Sequence, residues 1–137
     1  MRIFAPAAVV LAISLSGAAH AQLVECRGAQ KPQHVAELIF GRSIGGRLEV
    51  SDEQWLQFLD EEITPRFPDG LTVYDAAGQW WDKATNRIIR EPSKIVLIVL
   101  PGGAGDHPRL NEIAEAYKRN FRQQSVGMVV RPACVSF

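Results

Sequence analysis

The sequence predicts an α+β domain of the ferredoxin-like class, with a four-stranded antiparallel sheet, two helices on one face and an extra hairpin. Three observations carry that prediction. An amphipathic helical pattern stops at Thr64-Pro65, and a β pattern resumes after the turn composition Pro68-Asp69-Gly70. The stretches on either side of this break each supply strand and helix patterns, in the order β-α-β-β-α-β, the split βαβ arrangement. Residues 94–100, Lys-Ile-Val-Leu-Ile-Val-Leu, read as a strand whose unbroken apolar run after Lys94, rich in β-branched residues, suits a central position buried on both faces.

The chain opens on a different kind of segment. Met1-Arg2 is a short positive start, residues 3–17 are mostly apolar, and Ala19-His20-Ala21 has the small-x-small spacing of a signal-peptidase site. The expectation is a signal peptide over 1–21, cleaved after Ala21, and a single domain over 22–137. The apolar run is shorter than the about 20 residues a membrane span needs, and no cysteine stands where a lipoprotein signal would require one. The mature domain is therefore expected to be periplasmic or secreted, with no membrane contact after cleavage.

The whole chain carries 15 basic and 15 acidic residues, and loss of Arg2 with the leader leaves 14 against 15. Such a balance lacks the basic excess that nucleic-acid binding requires. Two cysteines, Cys26 and Cys134, fit neither a CxxC redox motif nor a zinc site, and an exported context favours a disulfide between them.

In chain order, the first strand is read over residues 34–41, followed by a loop that holds Gly45-Gly46. Ser51-Asp52-Glu53-Gln54 is a capping box, with Val50 and Trp55 at the staple positions; Trp55, Phe58, Leu59, Glu62 and Ile63 then recur at helical spacing. Residues 71–74 alternate as the second strand, and residues 75–78 read as a turn or bulge. Residues 79–81 and 87–90 form the two arms of the extra hairpin, and Pro92 is expected to break it from the third strand at 94–100. Pro101 to Gly105 lacks the Lys-Ser/Thr ending of a phosphate-binding loop and reads as a connector. Pro108 suits the first turn of the second helix, with Asp106 or His107 as its cap. Leu110, Ile113, Ala114, Tyr117 and Phe121 mark that helix's apolar face. The last strand is read over 125–130, with Pro132 at an edge or bulge.

In this topology the fourth strand lies antiparallel beside the first, which brings Cys134 to the end of the sheet where Cys26 enters. Topology and compartment thus point to the same pairing. Phe40-Gly41, residues 64–73 (Thr-Pro-Arg-Phe-Pro-Asp-Gly-Leu-Thr-Val), Gly78-Gln79-Trp80, Arg90-Glu91-Pro92-Ser93-Lys94 and Val135-Ser136-Phe137 resemble a family of bacterial exported proteins known as domain of unknown function 3574. The resemblance spans nearly the whole mature chain. It implies the fold class and export, and it implies no activity.

Residues that could carry chemistry fall into two groups. His34 and His107, with Asp69 and Asp106 in nearby loops, share one end of the sheet without any ligand spacing, and read as surface polar residues. No metal and no cofactor is expected. At the other end the topology gathers Trp80, Arg90, Glu91 and Lys94, with Trp81, Arg87 and the Gly45-Gly46 loop nearby. Aromatic rings beside Arg and Lys suit a small anionic or sugar-like ligand, through stacking and charge-assisted hydrogen bonds. The competing reading is a hairpin whose tryptophans cover the sheet while Arg90, Glu91 and Lys94 form ion pairs.

The expected function is that of an exported small-ligand-binding or interaction module whose partner is a small molecule or a protein. The alternative is a cofactor-independent enzyme of the dimeric ferredoxin-like barrel type. Ile95, Leu97 and Val99 alternate with Val96, Ile98 and Leu100, so neither face of the third strand is polar. The face away from the helices should therefore be covered by the Trp80 arm or by a second copy of the chain, and the dimer is the favoured expectation.

Overall fold

The computed structural model describes residues 25–44 and 47–137; the expected leader lies outside them, as do Gly45 and Gly46. The chain runs through β1 (Lys31–Gly41), a two-residue bridge of β2 (Ser43–Ile44) with β3 (Arg47–Leu48), α1 (Asp52–Phe58), β4 (Thr72–Asp82), β5 (Arg87–Val99), α2 (Asp106–Phe121) and β6 (Gly127–Val135). The main sheet has four antiparallel strands in the order β4-β5-β1-β6, the ferredoxin-like arrangement predicted from the pattern.

The first helix begins as its sequence requires. Ser51 Oγ accepts from the Gln54 N–H, and the Gln54 side chain accepts from the Ser51 N–H, which closes the capping box. Val50 and Trp55 are both buried beside it. Past Phe58 the helix widens into a π turn over Leu59–Ile63, where the Thr64 N–H reaches the Leu59 carbonyl. Pro65 then ends it, since a residue without an N–H cannot extend the ladder.

The core sits between the helices and one face of the sheet. Ala36, Leu38 and Phe40 of β1 with Val96 and Ile98 of β5 meet Trp55, Phe58 and Ile63 from the first helix and Leu110, Ile113 and Tyr117 from α2. Phe40 is the hub: its ring lies 5.1 Å from Trp55, 6.1 Å from Phe58 and 4.8 Å from Tyr117. Each such tilted or edge-on pair adds roughly 0.5–1.5 kcal/mol beyond the area it buries.

The turn at residues 64–70 is bolted to the start of α2. Phe67 is buried, and the Arg109 guanidinium stacks 4.9 Å from its ring centre while donating to the Arg66 carbonyl. Arg66 in turn pairs with Glu62 and Glu112. Asp106 opens α2, but its carboxylate reaches back to accept from the Gly102 and Gly103 N–H groups and pairs with Arg109. Burial alone would raise the Asp106 pKa, yet these donors outweigh it and hold the carboxyl below its usual range.

Two expectations about the second and third strands are corrected. Residues 75–78 are neither a turn nor a bulge, and Pro92 does not break the third strand. β4 and β5 form one unbroken ladder from Thr72↔Leu97 to Asp82↔Arg87. Pro92 fits because the Arg42 N–H donates to its carbonyl from the β1 side. A residue in an antiparallel pair exchanges both bonds with its opposite neighbour or neither, so the donor that Pro92 lacks faces away from β4. β6 likewise runs through Pro132, on an edge strand where a missing donor costs little.

The arm therefore continues the sheet instead of folding back across it. Trp80 remains 50% exposed. Cys26 and Cys134 are joined in a disulfide at the opposite end of the sheet, where the Lys31 end of β1 meets β6.

Candidate functional site

Side chains alternate between the two faces of a paired strand, and the unbroken β4–β5 register sorts the four candidate residues into two pairs. Trp80 and Glu91 lie on the face away from the helices, with Gly78, Ile89 and Ser93. Arg90 and Lys94 lie on the helix-side face, with Trp81 and Asp75. The four residues share one region of the hairpin without converging on one point.

On the helix side Lys94 and Arg42 are paired with acids. The Lys94 ammonium lies 2.5 Å from Asp75 and 3.7 Å from Asp52 at the start of α1. It holds the Asp75 carboxyl below its ordinary range through that hydrogen bond and through its charge. Arg42, buried next to β1, donates from Nε and Nη2 to the Val50 carbonyl and pairs with Asp52 at 2.9 Å. Lys94 thus behaves as the ion-pair reading expected. Arg90 makes no ion pair among the described residues.

On the other face Glu91 has no hydrogen-bond or ion-pair partner among the described residues. Its carboxylate lies across Gly41 of the neighbouring strand; a Cβ at Gly41 would come within 2.9 Å of Oε1 and 3.0 Å of Oε2. Gly78 stands directly opposite Glu91 on the other side. A Cβ there would come within 3.1 Å of Ser93 Oγ. Two glycines therefore clear the ground around one acid and one hydroxyl. Ser93 is only 4% exposed, and its hydroxyl makes no hydrogen bond to the described residues.

An open groove of about 500 Å³ lies at this hairpin neck, lined by residues 76–79 and 90–92. Trp80, diagonal to Glu91 across the strand pair, sits about 7–8 Å away on the same face. A smaller depression of about 300 Å³ lies among residues at the two chain ends and brings together no comparable set of polar groups.

The face also extends toward the chain ends as an apolar surface. Val35, Ile39, Ile95, Leu97 and Val99 fill its middle strands, while Tyr74 and Val129 stand at its margins. One ion pair crosses it, Arg131 to Glu37 at 3.0 Å. Behind the neck, the Tyr117 hydroxyl donates to the Gly41 carbonyl at 2.9 Å. Burial pushes that phenol's pKa well up, with the Glu91 charge adding to the effect and Arg42 opposing it, so it stays a donor.

At the other end, among the described residues, no three His, Cys, Asp or Glu side chains cluster as metal ligands. Asp106 there is occupied in holding Gly102, Gly103 and Arg109. Nor is any helix among them long and apolar enough to cross a membrane.

Gly41, Gly78 and Ser93 were not singled out as site residues from sequence. The signal that finds them is the alternation itself, which becomes readable once residues 72–99 are taken as one hairpin, without a turn at 75–78 or a break at Pro92.

A split βαβ sheet with an elongated central hairpin places the chain among ferredoxin-like α+β domains. Two solved phage SAM lyase structures agree on the fold. A phage SAM lyase in complex with S-methyl-5′-thioadenosine matches with a TM-score of 0.57 at 14% identity, over 84% of this chain and 95% of that one. The same enzyme class in its apo state gives 0.55 at 15% identity, over 83% and 91%. The Bacillus subtilis GlnK–ATP complex gives 0.45 at 14% identity, over 79% and 85%. By sequence, the chain belongs to the family of proteins of unknown function DUF3574, whose model matches residues 35–137. No curated protein matches the chain.

Proposed function

We propose that this protein is an exported, periplasmic or secreted, small-ligand-binding module, and that its ligand sits at the hairpin neck over Glu91, Ser93 and Trp80. The observation that carries this reading is the Glu91 carboxylate, without a hydrogen-bond or ion-pair partner among the described residues and kept clear by Gly41 and Gly78 beside an exposed indole. A carboxylate that the fold does not pair is available for a charge-assisted hydrogen bond or ion pair with a ligand. Export rests on the leader pattern of residues 1–21 and accords with the Cys26–Cys134 disulfide. That the fold can host a small molecule is illustrated by the phage lyase bound to S-methyl-5′-thioadenosine; the residues of this chain carry the rest.

A thermal-shift screen of residues 22–137 against periplasmic metabolites tests the reading, because a ligand that prefers the folded state raises its stability. The expected result is a raised melting temperature for one chemical class, reduced in Glu91→Gln. A flat screen overturns it. The enzyme alternative calls for a titratable group enclosed in an apolar cavity, whereas Glu91 lies in an open groove. The interaction-module reading has its own support in the apolar sheet face, where Ile39, Tyr74 and Val129 are 37%, 41% and 43% exposed.

A further inference from the structure

Resting on the ligand-binding reading, we propose that the sheet face at the hairpin neck takes a small organic cation, with an alkylammonium-type group held between the Glu91 carboxylate and the Trp80 ring on the same face. Ring and acid on one face, without a cation beside them, are the two elements that recognise such a group: the ring face supplies negative quadrupole density and the acid supplies the countercharge.

The disposition of neighbouring charge points to a cation and away from an anion. Lys94 is committed to Asp75 and Asp52, and Arg42 to Asp52 and the Val50 carbonyl, all on the helix side. Arg90, which lines the groove and makes no ion pair among the described residues, has its side chain on that side as well by strand alternation. On the face of Glu91, Arg131 is taken by Glu37. Arg87 is four residues further along β5, about 13 Å away at strand spacing, and stands opposite Asp82. An anion placed over Gly78 would therefore meet Glu91 first. A cation would meet the carboxylate and the indole, with Ile89 on the same face supplying apolar contact for an alkyl portion.

Choline and its uncharged carbon analogue 3,3-dimethylbutan-1-ol separate the charge from the shape, and inorganic phosphate supplies the opposite sign. Titration of residues 22–137 is followed by calorimetry and by the indole N–H resonances of the three tryptophans. Choline is expected to bind at least tenfold more tightly than the neutral analogue, moving the Trp80 resonance and leaving that of buried Trp55 in place. Glu91→Gln should remove that tenfold preference with an unchanged melting temperature, and Trp80→Ala should weaken choline binding, while Trp81→Ala, on the other face, leaves it intact. Equal binding of choline and the neutral analogue, or preferential binding of phosphate, overturns the cation while leaving a ligand site at the neck. Binding of choline that survives both Glu91→Gln and Trp80→Ala also overturns the proposal. No binding of any probe, together with a flat metabolite screen, overturns the ligand-binding reading as well.

Discussion

Gly41 shows how a single missing side chain decides where an acid rests. A methyl group there would strike the Glu91 carboxylate, which is the far end of a flexible chain and can swing aside. Gly41→Ala should therefore cost little stability, under about 1 kcal/mol, yet displace the acid and abolish ligand-induced stabilisation. Thermal melts with and without ligand check both halves. Asp106 behaves oppositely, since the fold depends on it directly. Replacing it with Ala leaves the Gly102 and Gly103 N–H groups and the Arg109 guanidinium without their acceptor, at a cost of about 2–3 kcal/mol. Its folded pKa lies below the unfolded value, so its contribution is complete above the ordinary carboxylate range and is lost as pH falls through the folded pKa. Urea melts across acidic pH should show wild-type stability falling toward that of Asp106→Ala, with the gap between the two closing as the pH drops.

At the level of elements, local chemistry and the strand order were readable, and the continuous register of β4 on β5 was not. The capping box, the staple and the stop at Pro65 are each set by neighbours within a few residues, and all three formed as the sequence implied. Ser51→Ala should lower stability by about 1 kcal/mol by orphaning the Gln54 N–H, a loss that chemical denaturation can read. Pro92 and the small residues 75–78 look like breaks in isolation. They are absorbed because Arg42, just past β1, donates to the Pro92 carbonyl and the register leaves the missing N–H pointing away from β4. A sequence window contains neither fact. The same gap explains why Trp80, Arg90, Glu91 and Lys94 were grouped from sequence: residue types and proximity along the chain were visible, while the face on which each lies depends on one continuous hairpin.

Across the whole molecule, the staple at one end and the bare face in the middle each carry a prediction. Closing a loop of about 100 residues stabilises by up to about 4.7 kcal/mol in the chain-entropy view, so Cys26→Ser with Cys134→Ser should lower the melting temperature markedly, as scanning calorimetry would show. The four-stranded face spans roughly 19 by 33 Å from strand spacing and rise, near the ~800 Å² per partner of a standard interface. It bears one acid and one base at its centre, Glu37 and Arg131, and so does not repel a second copy. Light scattering should find a dimer that Ile39→Arg with Val129→Glu converts to monomer, with Leu56→Glu on the helix side as the control.

The positions of the disulfide and the hairpin give the domain a head and a foot. β1 enters, and β6 leaves, beside the Cys26–Cys134 bridge, whereas the arm from Gly78 to Arg90 projects past the opposite end of β1. A tag, resin or fusion partner joined directly at Glu25 or Phe137 is thus held at the foot. The groove then faces open solution about a sheet's length away, and this is the orientation in which an immobilised domain can be offered ligands without masking its own candidate site.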